Sequence, residues 1–545
     1  MSTSRRTFIA GGGSLLLAGA AQALPAVPRH VSREADDDCV LRGGSILDGS
    51  GQPARIADLA IRDGRIAAIG VNLPRSGGDE IDVRGLTVAP GFIDIHSHGD
   101  GTLAADPRAE SVIRQGITTI VVGADGSSRA SGGARDDFAS LFARIDRLRA
   151  APNVASLIGL GTVRGVVVGS ADRRVSASEL RTMVAMVERA IAQGACGASS
   201  GLEYTPGAFA SQDELIALCR PLSSRGLLYA THMRNEDDRL LDAIDESIAV
   251  ARGAGCALQI SHLKTQGPRN WDKLQPAFDR IAAARADGID VAFDRYPYLA
   301  YATTLVNLFP VWSRDGGTAA LLRRLADASV SARIEAETRA KVALIGSWDN
   351  VLVTRVSSAA DRDAEGKRLG AWATGMNREP YAVLVALMQR NGGSVDMAGF
   401  AMSEENLERI LAHPLGMVCT DGGAFAIDGP TRRGSPHPRG AGSFPRVLGR
   451  YVRERCVMTL PEAIRRMTSL PAARLRLRDR GRLAVGMAAD VVAFDPATVS
   501  DTATFEKPFS YPVGIRLVIV NGQVTLRDGV RSRTHAGRAL RASGR

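Results

Sequence analysis

From residue 91 to residue 420 the chain keeps returning to one pattern: a short, predominantly apolar run followed by a longer amphipathic stretch. The apolar runs fall at 91–96, 118–123, 154–159, 197–200, 228–232, 257–262, 290–294 and 417–420. Runs this short without polar alternation read as strands buried on both faces, which parallel sheets covered by helices require. Two of the intervening stretches open on capping boxes, Ser176-x-x-Glu179 and Ser211-x-x-Glu214, the signature of a helix N-terminus. Eight strands alternating with helices predict an α/β fold, a (β/α)8 TIM-like barrel rather than an open sheet. The seventh and eighth runs are far apart, so about 306–400 is expected to be an inserted subdomain.

The two ends of the chain read differently. Residues 38–89 alternate apolar runs with turns such as Asp48-Gly49 and Asp63-Gly64, and 481–530 repeat the habit with Asn521-Gly522. Asp-Gly and Asn-Gly between apolar runs are hairpin signals. Both segments are expected to build one small β-sandwich domain around a barrel spanning 90–480. At the extreme N-terminus, Ser4-Arg5-Arg6-Thr7-Phe8-Ile9 precedes an apolar run from Gly11 to Ala21 and then Ala21-Gln22-Ala23. The paired arginines and small-residue cleavage pattern predict a twin-arginine signal peptide at 1–23 and transient engagement of the twin-arginine export machinery. The mature product is then expected to be periplasmic or secreted, from a bacterium. The apolar run is too short to span a bilayer, so no stable membrane insertion is expected.

The net charge of +10 comes almost wholly from arginine. These arginines form no stripe with interleaved aromatics, so no nucleic-acid partner is expected; a solvated basic surface, including six arginines after Thr525, is the simpler reading. Cysteines 39, 196, 219, 256, 419 and 456 are scattered without C-x-x-C spacing. They read as small buried hydrophobes rather than as a disulfide framework.

Four of the eight histidines fall at ends of the apolar runs. His96 and His98 are two apart, so on one strand both rings would leave the same face. His232 ends the fifth run, His262 ends the sixth, and Asp421 follows the eighth. In a barrel these ends converge on one mouth, where barrel enzymes do their chemistry. Neutral imidazoles with a carboxylate suit a divalent transition metal, zinc foremost.

The stretch Pro90-Gly91-Phe92-Ile93-Asp94-Ile95-His96-Ser97-His98 resembles the first-strand signature of the amidohydrolase superfamily. Further motifs narrow the resemblance to its D-aminoacylase (N-acyl-D-amino-acid deacylase) branch. These are Gly201-Leu202-Glu203-Tyr204-x-Pro206-Gly207, Thr231-His232-Met233-Arg234-Asn235-Glu236, Ser261-His262-Leu263-Lys264, Asp294-x-Tyr296-Pro297-Tyr298 and His437-Pro438-Arg439. The likeness extends along nearly the whole mature chain and implies one or two metal ions. It implies that His96, His98 and Asp421 surround one metal position. His232, His262 and a residue closing the second strand would surround another. The branch has a cysteine at that last place; here Asp125 stands in it. A carboxylate is a harder ligand than a thiolate, so metal preference is expected to shift.

The resemblance further implies that Asp421 takes a proton from the attacking water and delivers it to the leaving nitrogen, as an amide requires. Arg439, with Lys264 and Tyr296, would hold the free carboxylate of a small-molecule substrate; a guanidinium fork suits that group. The hydroxyl expected after Tyr296 is missing at Ala302, with Thr303 and Thr304 beside it. The stretch 422–438 is long for a simple deacylase and contains Phe425, Asp428 and Arg432-Arg433. Hydrolysis of N-acyl-D-amino acids or of L-Xaa-D-Xaa dipeptides is thus expected, with a cyclic amide or related C–N bond as the alternative. That alternative is weakened by lysine usage: none lies between His98 and His232, whereas hydantoinase-like relatives need a carboxylated lysine there.

Overall fold

The computed structural model describes residues 38–542 except Ser76, so the signal-peptide reading of 1–23 lies outside the described residues. The apolar runs become parallel strands. β1 (Phe92–Asp94), β2 (Ile117–Val122) and β3 (Asn153–Ser156) form one sheet. Two residues past β3, the bridge segment Ile158–Gly159 starts a second sheet with β4 (Gly197–Gly201), β5 (Leu228–His232), β6 (Ala257–Ile260), β7 (Val291–Arg295) and β8 (Gly416–Val418). Every pairing in both sheets is parallel.

Period-2 geometry divides the side chains between two cores. Leu228 and Ala230 of β5 join Ile93, Val121, Ala292 and Met417 in one cluster. Tyr229, between them, joins Ile120, Val154, Leu258 and Phe293 in another, which also takes the helical residues Leu215, Leu218 and Ile244. The helices Ala177–Ala192 and Gln212–Ser223 start where the sequence places them. Ser176 and Glu179 complete a reciprocal capping box, and the Ser211 hydroxyl accepts from the Glu214 amide.

Between β7 and β8 the chain builds its own antiparallel sheet, Ala300–Thr304, Val395–Phe400 and Val351–Val356, with helices such as Ala328–Ile345. The excursion thus begins at Ala300 rather than near 306. The two chain ends meet in a nine-stranded sheet, where Thr87–Pro90 pairs antiparallel with Val491–Phe494. A buried polar network anchors this sheet to β3. The Asp490 carboxylate receives the Arg480 guanidinium, the Asn521 amide at 2.7 Å and Asn153 Nδ2 at 3.0 Å, and Asn521 Nδ2 donates to Asn153 Oδ1 at 2.7 Å.

The basic C-terminal tail is not simply a solvated surface. Leu540 N donates to Val154 O at 2.8 Å and Val154 N to Arg538 O at 3.0 Å, so the tail runs beside β3. Arg531 is half-buried against Glu110 at 3.0 Å. All six cysteines are free thiols, and only Cys456 is exposed. No helix among the described residues is long and apolar enough to cross a membrane.

Candidate metal centre and active site

His232 shares the inward face of β5 with Leu228 and Ala230, as alternation dictates. The others reach the site by departures from regular strand geometry. β1 ends at Asp94, so His96 and His98 sit beyond the ladder and do not owe their common orientation to strand pleating. Their segment is fixed instead by two backbone bonds to the residues after β8, Asp421 N to His96 O at 2.8 Å and His98 N to Gly422 O at 2.9 Å. Strict alternation would put His262 with Leu258 and Ile260 on the outer face. A left-handed backbone at His262 (φ 38°) turns its ring inward to 3.0 Å from His232. Asp125 (φ 50°) and Asp421 (φ 48°) are left-handed too. Non-glycine residues pay for this conformation, and such strain clusters where side chains are aimed for function.

The Asp125 turn is held hard. Gly123 and Gly126 flank it with positive φ, and Ser199 Oγ donates to Gly123 O at 2.5 Å while accepting from Gly126 N at 3.0 Å. Gly201 must be glycine here: a Cβ at that position would lie 2.2 Å from the Asp125 carbonyl oxygen.

The structure brings all six sequence-nominated ligands together. His96 Nε2 lies 3.4 Å from Asp125 Oδ2 and 3.5 Å from Asp421 Oδ1; His98 Nε2 lies 3.3 Å and 3.1 Å from the same atoms. On the other side of Asp125, His262 Nε2 is 3.6 Å from Oδ1. Three sets of potential ligand atoms result, His96/His98/Asp125/Asp421, Asp125/His232/His262 and Glu203/His232/Glu236, each within 4.8 Å of one another; the first two hold all the nominated ligands. His96 Nε2 and Asp125 Oδ1 are buried yet have no hydrogen-bond partner. Buried polar atoms are rarely left so, and a divalent cation among them would satisfy both. The residues fit the ion.

The electrostatics agree. Burial alone would push the Asp125 carboxyl up, but His96 and His262 hold it well below the carboxylate range. Burial opposes charge on His96, yet Asp125 and Asp421 raise its pKa well above the usual histidine value. Asp421 is likewise held low against its burial, chiefly by Arg439 and then His96. The carboxylates thus draw positive charge into the site, as protons or as a metal ion.

Residues beyond the nominated ligands position the site. Asp294, on β7, accepts from the His262 amide and from Gln259 Nε2, both at 2.8 Å, and lies 3.4 Å from His96 Nδ1. A carboxylate behind a ligand imidazole fixes its ring and tautomer. Glu236 stands 3.1 Å from His262 Nδ1 and accepts from Lys264 Nζ at 2.6 Å and Gln266 Nε2 at 2.7 Å. Glu203 approaches His232 Nε2 at 3.4 Å. All three carboxylates lie within motifs visible in the sequence, but nothing there shows which ring each one faces.

A cavity of about 300 Å³ opens onto the cluster and is lined by His98, Lys264, Tyr296, Thr303, Asp421 and Arg439, among others. Arg439 is buried with its guanidinium 4.6 Å over the Tyr296 ring, and its Nη1 donates to Asp421 Oδ2 at 2.6 Å. Lys264 reaches the cavity while committed to Glu236. Ala302, Thr303 and Thr304 all line the wall. A second space of about 830 Å³ shares His98, Asp421 and Arg439 and is walled by Phe425, Thr431, Arg433 and Pro436 from the long 422–438 stretch.

Residues 79–526 match the amidohydrolase family, to which this chain belongs. The chain is 38% identical over 501 residues to an N-acyl-D-glutamate deacylase of Alcaligenes xylosoxydans xylosoxydans, covering 89% of this chain and 93% of that protein. It is 36% identical over 520 residues to a D-aminoacylase of the same organism, covering 92% and 97%. The solved N-acyl-D-glutamate deacylase of Bordetella bronchiseptica, complexed with zinc and a phosphonate mimic of the tetrahedral intermediate, matches with a TM-score of 0.79 at 35% identity, covering 93% of this chain and 100% of that one. The mixed α/β fold is that of these enzymes.

Proposed function

We propose that this protein is a zinc-dependent amidohydrolase that cleaves the amide bond of N-acyl-D-amino acids, or of dipeptides ending in a D-residue, and releases the D-amino acid. One observation carries the reading. Four imidazoles and two carboxylates converge with two of their buried atoms unpartnered, and a buried guanidinium stands beside them in the same cavity. The relatives named as deacylases of N-acyl-D-glutamate and other D-amino acids supply the substrate class.

His96, His98, Asp125, His232, His262 and Asp421 would hold one or two ions. A divalent ion there supplies Lewis acidity, acidifying the attacking water toward a pKa of about 7 and polarising the amide carbonyl. Asp421 accepts the water's proton at Oδ1, the oxygen that faces His98, and passes it to the departing nitrogen. Its other oxygen is held by Arg439, which keeps the carboxylate pointed. The remaining donors of Arg439, with Tyr296 and Lys264, hold the substrate's α-carboxylate, a group that a neutral cyclic amide lacks. The wide space along 422–438 accepts the acyl side, so specificity is tuned there.

The architecture proposed for this chemistry is a barrel closed between β8 and β1, supported by the backbone bonds joining Asp421 to His96 and Gly422 to His98. Residues 38–89 and 481–530 form a β-sandwich domain, supported by one apolar cluster that gathers Leu41, Leu59, Val88, Val491 and Leu517. The excursion between β7 and β8 is an inserted subdomain. Export through the twin-arginine route to the periplasm or beyond rests on the sequence Ser4-Arg5-Arg6-Thr7-Phe8-Ile9 alone.

The test is a paired screen after zinc reconstitution, with N-acetyl and L-aminoacyl derivatives of D- and L-amino acids. Release of free D-amino acids is expected; activity confined to L-residues overturns the stereochemical assignment.

A further inference from the structure

An apolar groove borders the rim of the site. It lies between the helix Phe138–Leu148 and strands β2 and β3, encloses about 430 Å³, and is floored by Leu103, Val122, Leu141, Ile145, Leu148 and Val154. Leu141, Ile145 and Leu148 follow one another at helical spacing and so share one face of the helix. Such a stripe normally packs on its strands without voids larger than a water molecule. Here it stands off, and an accessible apolar space of this size marks a ligand groove. Arg144 and Arg147 edge it from the helix with exposed side chains; their stems extend the apolar wall while their charges stay in water.

The position of the groove says what lies in it. Gly101 and Arg129 line it and also line the space of about 830 Å³ that receives the acyl side of the substrate. Both residues sit on segments that carry nominated ligands. Gly101 closes the turn that begins directly after His98, and Arg129 comes four residues after Asp125. The threshold between the two spaces is low: Gly101 has no side chain, and a Cβ there would lie 3.3 Å from Arg129 Nη2. Arg129 is itself exposed and only loosely paired with Asp100, at 3.8 Å. The wider space mixes Phe425 and Met397 with Arg355, Asp396 and Arg433, so a long alkyl tail finds a continuous apolar floor only beyond Gly101. We infer that this groove binds the distal alkyl chain of a medium- or long-chain N-acyl-D-amino acid. The inference rests on the deacylase reading of the site and deepens it by naming the acyl class.

The experiment uses the zinc-loaded full chain and N-acyl derivatives of one D-amino acid, from acetyl through hexanoyl to decanoyl and dodecanoyl, each below its micellar concentration. The profile of kcat/KM is expected to stay flat for the shortest acyl groups and then climb by about fourfold per buried methylene. Leu148→Asp, which sets a charge in the floor, is expected to flatten the climb and leave N-acetyl turnover unchanged. Ala104→Trp, at an exposed lining position, fills the groove and serves if the charge perturbs the helix; circular dichroism checks that either variant is folded. Titration calorimetry with decanol, which has no carboxylate to compete for zinc, reads the groove independently of catalysis. A flat profile in the wild type, or one that climbs equally in both variants, overturns the site even if the enzyme deacylates N-acetyl-D-amino acids. A wild-type chain that takes up no decanol overturns it as well. Decanol binding that is lost in Leu148→Asp, in a protein that hydrolyses no N-acyl-D-amino acid, upholds the alkyl site and sinks the proposed reaction instead.

Discussion

Two buried polar networks lie a short stretch of chain apart and obey opposite rules. Around Asp490, the bond donors and acceptors close on one another: Arg480, Asn521 and Asn153 saturate the carboxylate, and the asparagines bond each other. Around Asp125 similar groups are mostly buried, yet His96 Nε2 and Asp125 Oδ1 go unpaired, and three non-glycine residues hold left-handed backbones, against Asn521 alone around Asp490. A closed network repays its own desolvation and fixes structure. An open one leaves desolvation unpaid until a ligand arrives. Between these two networks, unsatisfied atoms rather than charge mark the candidate metal centre.

Substitutions can break that contrast. Asp421→Asn should lower kcat roughly 10³-fold, the scale of a lost general acid–base group, with little change in melting temperature; initial rates and a melting curve decide it. Asp490→Ala should do the reverse. It leaves the buried Arg480 with only Asp479, which stands at 3.2 Å and is half exposed, and should cost about 3 kcal/mol of stability, while kcat per folded molecule stays put. If Asp490→Ala cuts kcat as deeply as Asp421→Asn, the division between the networks is false. Gly201→Ala probes the join between scaffold and site. Its Cβ would meet the Asp125 carbonyl oxygen at 2.2 Å, so about 2 kcal/mol of overpacking strain is expected, read as lower zinc content at saturation; full zinc occupancy contradicts it.

The smallest effect is in pH. Burial would lower the His98 pKa, but Asp125 and Asp421 override it and raise it to about 9. In the metal-free protein that proton stabilises the fold fully below the unfolded value near 6.5, and the contribution fades as pH rises through about 9. Zinc needs the neutral ring, so its affinity should climb with pH toward about 9, by about one decade per unit for one displaced proton. Calorimetric titration at pH 7 in two buffers of unlike ionisation enthalpy measures the release; none observed contradicts the assignment.

The strands were legible because burial on both faces leaves a mostly apolar run without polar alternation, as in Leu228–His232. Their terminal histidines and Asp421 were legible for the same reason: a polar residue closing such a run stands out. What alternation could not supply was aim. His96 and His98 share a direction through backbone bonds to the far strand, and His262 through a left-handed turn. The roles of Glu203, Glu236 and Asp294 were hidden, although each stands in a recognisable motif, because a carboxylate's partner is chosen by tertiary packing. The tail arginines read as solvent-facing since nothing local marks Arg531 as the partner of Glu110, some 400 residues away in sequence. The early start of the excursion at Ala300 was masked by a strand that continues directly from the Tyr296 motif.

The pairing of Thr87–Pro90 with Val491–Phe494 has a consequence for biosynthesis. While the polypeptide is still emerging from the ribosome, that early strand waits for a neighbour made some 400 residues later, and exposed strand borders invite association between molecules. A product terminated between Asp421 and Val491 keeps every histidine of the candidate metal centre and still lacks the closing strand, which makes it a candidate for clumping and proteolytic disposal rather than a shorter enzyme.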